Sequence, residues 1–187
     1  MSSDISRQRF DPANNFNSVL MQQGRVQLDA DWNEWNDILD RHWRSETIDI
    51  IGRGVVPLET PNGFEIQISG TSLTIGRGRI YVDGLQAENH GTGDQEFDPV
   101  LGESRALDPI PYAQQPYFPG APDAPNQGGP HLVFLDVWER EVTAVENPTA
   151  EHQQDADAHR SLANNPERSG KEIATRFSVV PFGRVSG

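Results

Sequence analysis

The chain has 187 residues, 35% of them hydrophobic, a formal net charge of -13 and no cysteine. These totals exclude disulfides, thiolate zinc sites and cysteine nucleophiles. They also argue against nucleic acid as a partner, because so acidic a chain repels phosphate and its 15 Lys and Arg are scattered rather than clustered.

Residues 1–28 predict an extended N-terminal arm with one turn. The start, "MSSDISRQRFDPANN", is polar and lacks the apolar run of a signal peptide. Pro12 biases Asp11 away from helix, and Asn14 and Asn15 suit a turn. From Asp29 the period changes. Trp32, Trp35, Leu39, Trp43 and Ile50 recur at helical steps, which predicts an amphipathic helix over 29–52. Asp29 or Asp31 can cap its start, Gly52 and Gly54 are stops, and Pro57 lies beyond. The tryptophans then form a stripe to be buried on the β-domain or on a partner subunit, with the aspartates as the solvated face.

Residues 53–187 predict a β-rich domain. "GFEIQIS" alternates apolar and polar positions, and "SLTIGRGRIYVDGLQAEN" reads as two or three short strands with a hairpin signal at Asp83-Gly84. Beyond Asn89 the pattern dissolves. Residues 109–130 hold seven of the fourteen prolines and predict a long loop or arm with no central strand or helix. "HLVFLDVWEREVT" restores a strand, expected to be buried over Leu132 to Val137. Residues 146–172 read as a polar loop, and "EIATRFSVVPFG" as a last strand. The fold class expected is α+β, a mostly β domain with one long N-terminal helix, an extended arm and long loops. No window of 18 apolar residues predicts a membrane span.

Motifs for chemistry are weak. In "DADWNEWNDILD", Asp29, Asp31, Asn33 and Asp40 fall at positions 1, 3, 5 and 12 of a calcium loop. Glu34, however, stands where the sharp turn needs glycine, so helix is the better reading. His152, Asp155, Asp157 and His159 are metal-ligand types set in the composition of a solvated loop. His90 precedes a glycine turn with no catalytic partner in view. "GRGRIYVDG" lacks the lysine and hydroxyl of a phosphate loop and sits between strands. The expectation is no catalytic residue, no cofactor and no metal.

"FDP…NFNSVLMQQGRVQLDADWNEWNDILDR", together with "IGRGRIYVDGLQAEN" and "HLVFLDVWEREVT", resembles an uncharacterised bacterial protein family of the DUF6519 kind. The resemblance implies an association with extracellular contractile injection systems, which are phage-tail-like. The resemblance implies a structural part of such a particle, at its baseplate, spike or fibre attachment. It would be assembled in the cytoplasm and then released or docked at a membrane, with copies of itself and other subunits as partners. The interface candidates are Trp32, Trp35, Leu39 and Trp43 on the helix, and Tyr112, Tyr117 and Phe118 in the proline-rich loop. The alternative is a carbohydrate- or envelope-binding module of the same particle, using the three loop aromatics.

Overall fold

The structure is a computed structural model and describes residues 10–70, 72–99, 102–121, 129–143 and 169–181. These fall into two compact units. One holds residues 10–52, 141–143 and 169–171; the other holds 53–140 and 172–181 as far as they are described.

In the first unit the arm opens on a 3-10 turn, Pro12–Asn14. Asp11 is extended before Pro12, its carboxylate accepts the Ala13 N–H at 2.9 Å, and Asn15 closes the turn at φ 54. Helix α1 then runs Asp29–Ile50. The N-cap position is Leu28, which has no side-chain acceptor. Asp31 supplies the capping contact from the third helical position, accepting the Leu28 N–H at 3.1 Å. At the other end Ile51 and Gly52 both donate to the Thr47 carbonyl, and Gly52 takes φ 109, a conformation that costs glycine least.

The second unit is built from short antiparallel ladders. β1 (Gly54–Val55), β4 (Gly78–Val82) and β5 (Leu85–Asn89) form one sheet in the order β1-β4-β5. Val82 pairs with Leu85, so Asp83 and Gly84 make a two-residue turn with φ 47 and 79, the hairpin expected from that dipeptide. β2 (Ile66–Ser69) pairs with β3 (Ser72–Ile75), and β3 pairs in turn with β8 (Ile110–Pro111) at the edge of a second sheet. β6 (Thr92–Asp98) and β7 (Glu103–Asp108) form a bulged hairpin. Two long strands, β9 (His131–Thr143) and β10 (Ser169–Pro181), pair with each other.

Several expectations are corrected here. The pattern that dissolves after Asn89 conceals β6 and β7. The stretch 109–130 is not structureless, because it contributes β8 and a 3-10 turn, Tyr112–Gln114. Pro111 fits because β8 is an edge strand, where a missing donor is tolerated. Residues 169–172, expected in the polar loop, begin β10. The Leu132–Val137 segment of β9 is a strand but not a buried one: Val133, Leu135 and Val137 turn to the core, while Leu132 and Phe134 are exposed.

The core of this unit is Phe64, Leu73, Ile75, Ala87, Tyr112 and Phe177, with Ile66, Ile80, Val133, Leu135 and Ile173 among the residues packed around it. Phe64 and Phe177 meet with ring centroids 6.0 Å apart. Phe64 is held at φ 60, where its N–H bonds the Gly76 carbonyl while the Gly76 N–H returns to Glu65. Left-handed backbone at a non-glycine costs about 1–3 kcal/mol, offset here by the buried ring. The close approach of the 60–64 turn to this stretch needs glycine: a Cβ on Gly76 would lie 2.3 Å from the Asn62 carbonyl oxygen. Gly76→Ala should therefore destabilise the unit by about 1–3 kcal/mol as overpacking against backbone. Thermal unfolding would show it, and an unchanged melting temperature would disprove the close fit.

Candidate functional site

Among the described residues the tryptophan stripe is exposed. The residues of α1 that the chain itself covers are Ala30 and Ile38, the latter 1% exposed, with Asp37 and Ile48 half-buried. In the same unit Asp37 meets Lys171 at the start of β10, with Nζ and Oδ1 3.7 Å apart. At about 100° per residue these positions centre on one side of the helix, and Leu28, Trp32, Trp35, Leu39, Trp43 and Ile50 lie roughly opposite. Trp32 is 59% exposed, Trp35 43% and Trp43 65%, while Leu39 is half-buried. The arm adds Phe16, Leu20, Met21 and Val26, all exposed. Periodicity found the helix and the members of the stripe. The packing differs because small and aliphatic side chains, not the indoles, face the rest of the unit.

The proline-rich segment behaves in the opposite way. Tyr112, an interface candidate, is a core residue, 3% exposed. Its ring is surrounded by its own chain, so it is not available to a neighbour or to a glycan. Gln115, which carries no signal in the sequence, is the anchor of this segment. It is buried, its Oε1 accepts the Phe177 N–H at 2.6 Å, and its Nε2 donates to the carbonyls of Phe177 and Tyr112 at 3.2 and 3.0 Å. The amide thus continues the β10 edge as an extra strand residue would.

Tyr117 and Phe118 are half-buried, each with a guanidinium over its ring. Arg140 sits 5.8 Å from the Tyr117 centroid and is paired with Glu172; Arg176 sits 5.6 Å from that of Phe118 and 5.8 Å from that of Trp138. Arg176 also holds Asp136 at 2.8 Å. These contacts tie the segment to β9 and β10.

Burial, followed by the Glu172 carboxylate that its hydroxyl faces, pushes the Tyr117 pKa above the ordinary 10.0. The neutral phenol is the form the fold favours. Its contribution to stability is complete below the unfolded value and is lost as pH rises through the higher folded one. Chemical denaturation at about pH 8 and about pH 11 should show a loss of stability that is smaller in Tyr117→Phe. Equal losses in the two proteins would contradict the assignment.

Among the described residues of the second unit are the linings of two clefts. One, about 520 Å3, is lined by residues including Glu59, Arg77, Glu88, His90 and Glu96. The other, about 280 Å3, is lined by residues including Phe64, Ile75, Gln86, His90 and Phe177. Asn89 borders both, but its amide is spent on architecture: it donates to the carbonyls of Ile75 and Gly76 and accepts the Gly91 N–H at 3.0 Å. His90 itself is exposed and precedes Gly91 at φ 75. Among the described residues no group of three or more His, Asp or Glu converges to hold a metal ion. His152, Asp155, Asp157 and His159 lie outside the described residues. The would-be calcium loop is continuous helix. No described helix is long and apolar enough to cross a membrane.

The chain matches the family of unknown function DUF6519 over residues 1–158 and belongs to that family. No curated protein and no solved structure matches it.

Proposed function

We propose that this chain is a non-catalytic assembly component, which binds a neighbouring subunit through the tryptophan face of α1 and the arm that leads into it. The observation that carries the reading is the exposure of Trp32, Trp35 and Trp43 on the side of α1 away from Ala30 and Ile38. Large exposed apolar patches on soluble proteins mark interaction sites, and tryptophan is the residue most enriched among those that dominate binding energy. The arm that leads into α1 carries further exposed apolar residues, Phe16, Leu20, Met21 and Val26.

The particle we propose is a phage-tail-like contractile injection system, with the chain at the baseplate, spike or fibre attachment. Support for that finer statement is the resemblance of "LMQQGRVQLDADWNE" and the segments that accompany it. Neighbours would be other subunits and, around a symmetry axis, further copies of the chain. Purifying sheathed particles from the host and quantifying this chain by mass spectrometry tests the proposal. A fixed stoichiometry with the tube and sheath subunits is the expected result. Recovery of the chain solely as a free monomer, or turnover of a substrate by it, would refute the proposal.

A further inference from the structure

We infer that the tryptophan face of α1 docks into an apolar groove rimmed by lysine and arginine on a different protein, rather than onto a second copy of this chain. The inference rests on the reading of that face as a docking surface and adds what its partner is made of.

The argument is the placement of charge around the helix. Residues 29–50 carry seven carboxylates against two arginines, a net charge of -5 with His42 neutral. They are not spread evenly. At about 100° per residue, Leu28, Trp32, Trp35, Leu39, Trp43 and Ile50 occupy an arc of roughly 80°. Asp31 and Asp49 lie about 40° beyond one edge of that arc, and Asp29 and Asp40 about 40–60° beyond the other. Glu46 falls inside it, near the C-terminal end. Arg41 and Arg44 sit roughly 140–160° from its centre, on the side that holds Ala30 and Ile38, and Glu34 and Asp37 share that side with them. From Leu28 to Trp43 the stripe is therefore uncharged, and both of its margins are acidic.

Interfaces match potential to potential, and like charges set opposite each other select against a pairing. Two copies packed face to face would oppose acidic margin to acidic margin, in chains that each carry -13. Anionic lipid would repel the same margins. An apolar groove with basic walls satisfies both the indoles and the rim, as an amphipathic helix does in a complementary groove.

The test is to place the photo-crosslinker p-benzoylphenylalanine at position 36 of the full chain in its own host, an exposed position about 20° outside the stripe that leaves the indoles in place, irradiate, and sequence the joined peptide. The expected peptide comes from another protein and carries apolar residues flanked by Lys or Arg. Its yield should fall at least about tenfold in Asp40→Lys/Asp49→Lys, with circular dichroism confirming the helix, and less in Asp40→Asn/Asp49→Asn. Salt near 1 M should lower the yield of the chain with native margins as well, which needs no margin variant to fold. A crosslink to a second copy or within the chain, or stronger association with phosphatidylcholine vesicles than with any protein, would overturn the inference. So would a yield indifferent to both charge reversal and salt. A folded chain that gives no crosslink to any other molecule from positions 36 or 42 would overturn the docking reading beneath it.

Discussion

Replacing Gln115 with leucine should destabilise the second unit by about 3 kcal/mol, although the two side chains are similar in size. The change removes three hydrogen bonds at once and leaves the Phe177 N–H, the Phe177 carbonyl and the Tyr112 carbonyl without their partner in the interior. Each orphaned buried group costs roughly 1–3 kcal/mol, and because the three share one side chain their costs do not simply add. Gln115→Glu separates polarity from shape. Its carboxylate can still accept the Phe177 N–H but cannot donate to the two carbonyls, and it brings a charge into a buried position. It should therefore be no more stable than the leucine variant at neutral pH and should recover as pH falls and the carboxyl protonates. Urea denaturation of both proteins at about pH 7 and about pH 5 measures this. A leucine variant as stable as the native chain would show that Gln115 is replaceable filler.

The same residue shows where sequence reading stops. A run of prolines correctly signals that 109–130 cannot be regular helix or central strand. It does not say that one glutamine in the run will replace a missing strand by hydrogen-bonding with its side chain, since glutamine has no periodic or turn signature. Deleting 113–128, which on the loop reading should spare the fold, would remove the anchor of β10 and Ala121, which packs on the core. The elements that were legible are those whose local chemistry is self-sufficient. Gly52 stops α1, Asp83-Gly84 turns β4 into β5, and the β-branched and aromatic residues of β9 make a strand. β6 and β7 were illegible because "TGDQEFD" leaves Phe97 exposed and has no alternating buried face. Their pairing lies across the hairpin, between two strands, and a period read along either strand alone does not carry it.

The largest functional effect is expected from the double change Trp32→Ser/Trp35→Ser. Folding stability should stay within about 0.5 kcal/mol of the native chain, because both indoles are exposed and neither belongs to the residues α1 buries. Association with the neighbouring subunit should weaken by about 2–4 kcal/mol, a factor of roughly 30 to 700, the usual cost of removing central aromatic anchors. Ile38→Ala is the mirror experiment. Among the described residues Ile38 is the largest side chain buried completely, and its truncation should cost about 2–5 kcal/mol of folding while leaving the tryptophan face chemically intact. Helical period alone identifies which side chains share a face; it cannot say whether the chain or another molecule covers that face, since apolar character is common to both outcomes. On α1 the two faces are distinguished by size. The chain buries alanine and isoleucine, and the indoles remain outside. Calorimetric unfolding and pull-down of assembled particles, run on both variants, separate the roles. If the tryptophan variant unfolds early and the isoleucine variant does not, the faces have been assigned the wrong way round. If both fold and assemble as the native chain does, α1 is not the docking element.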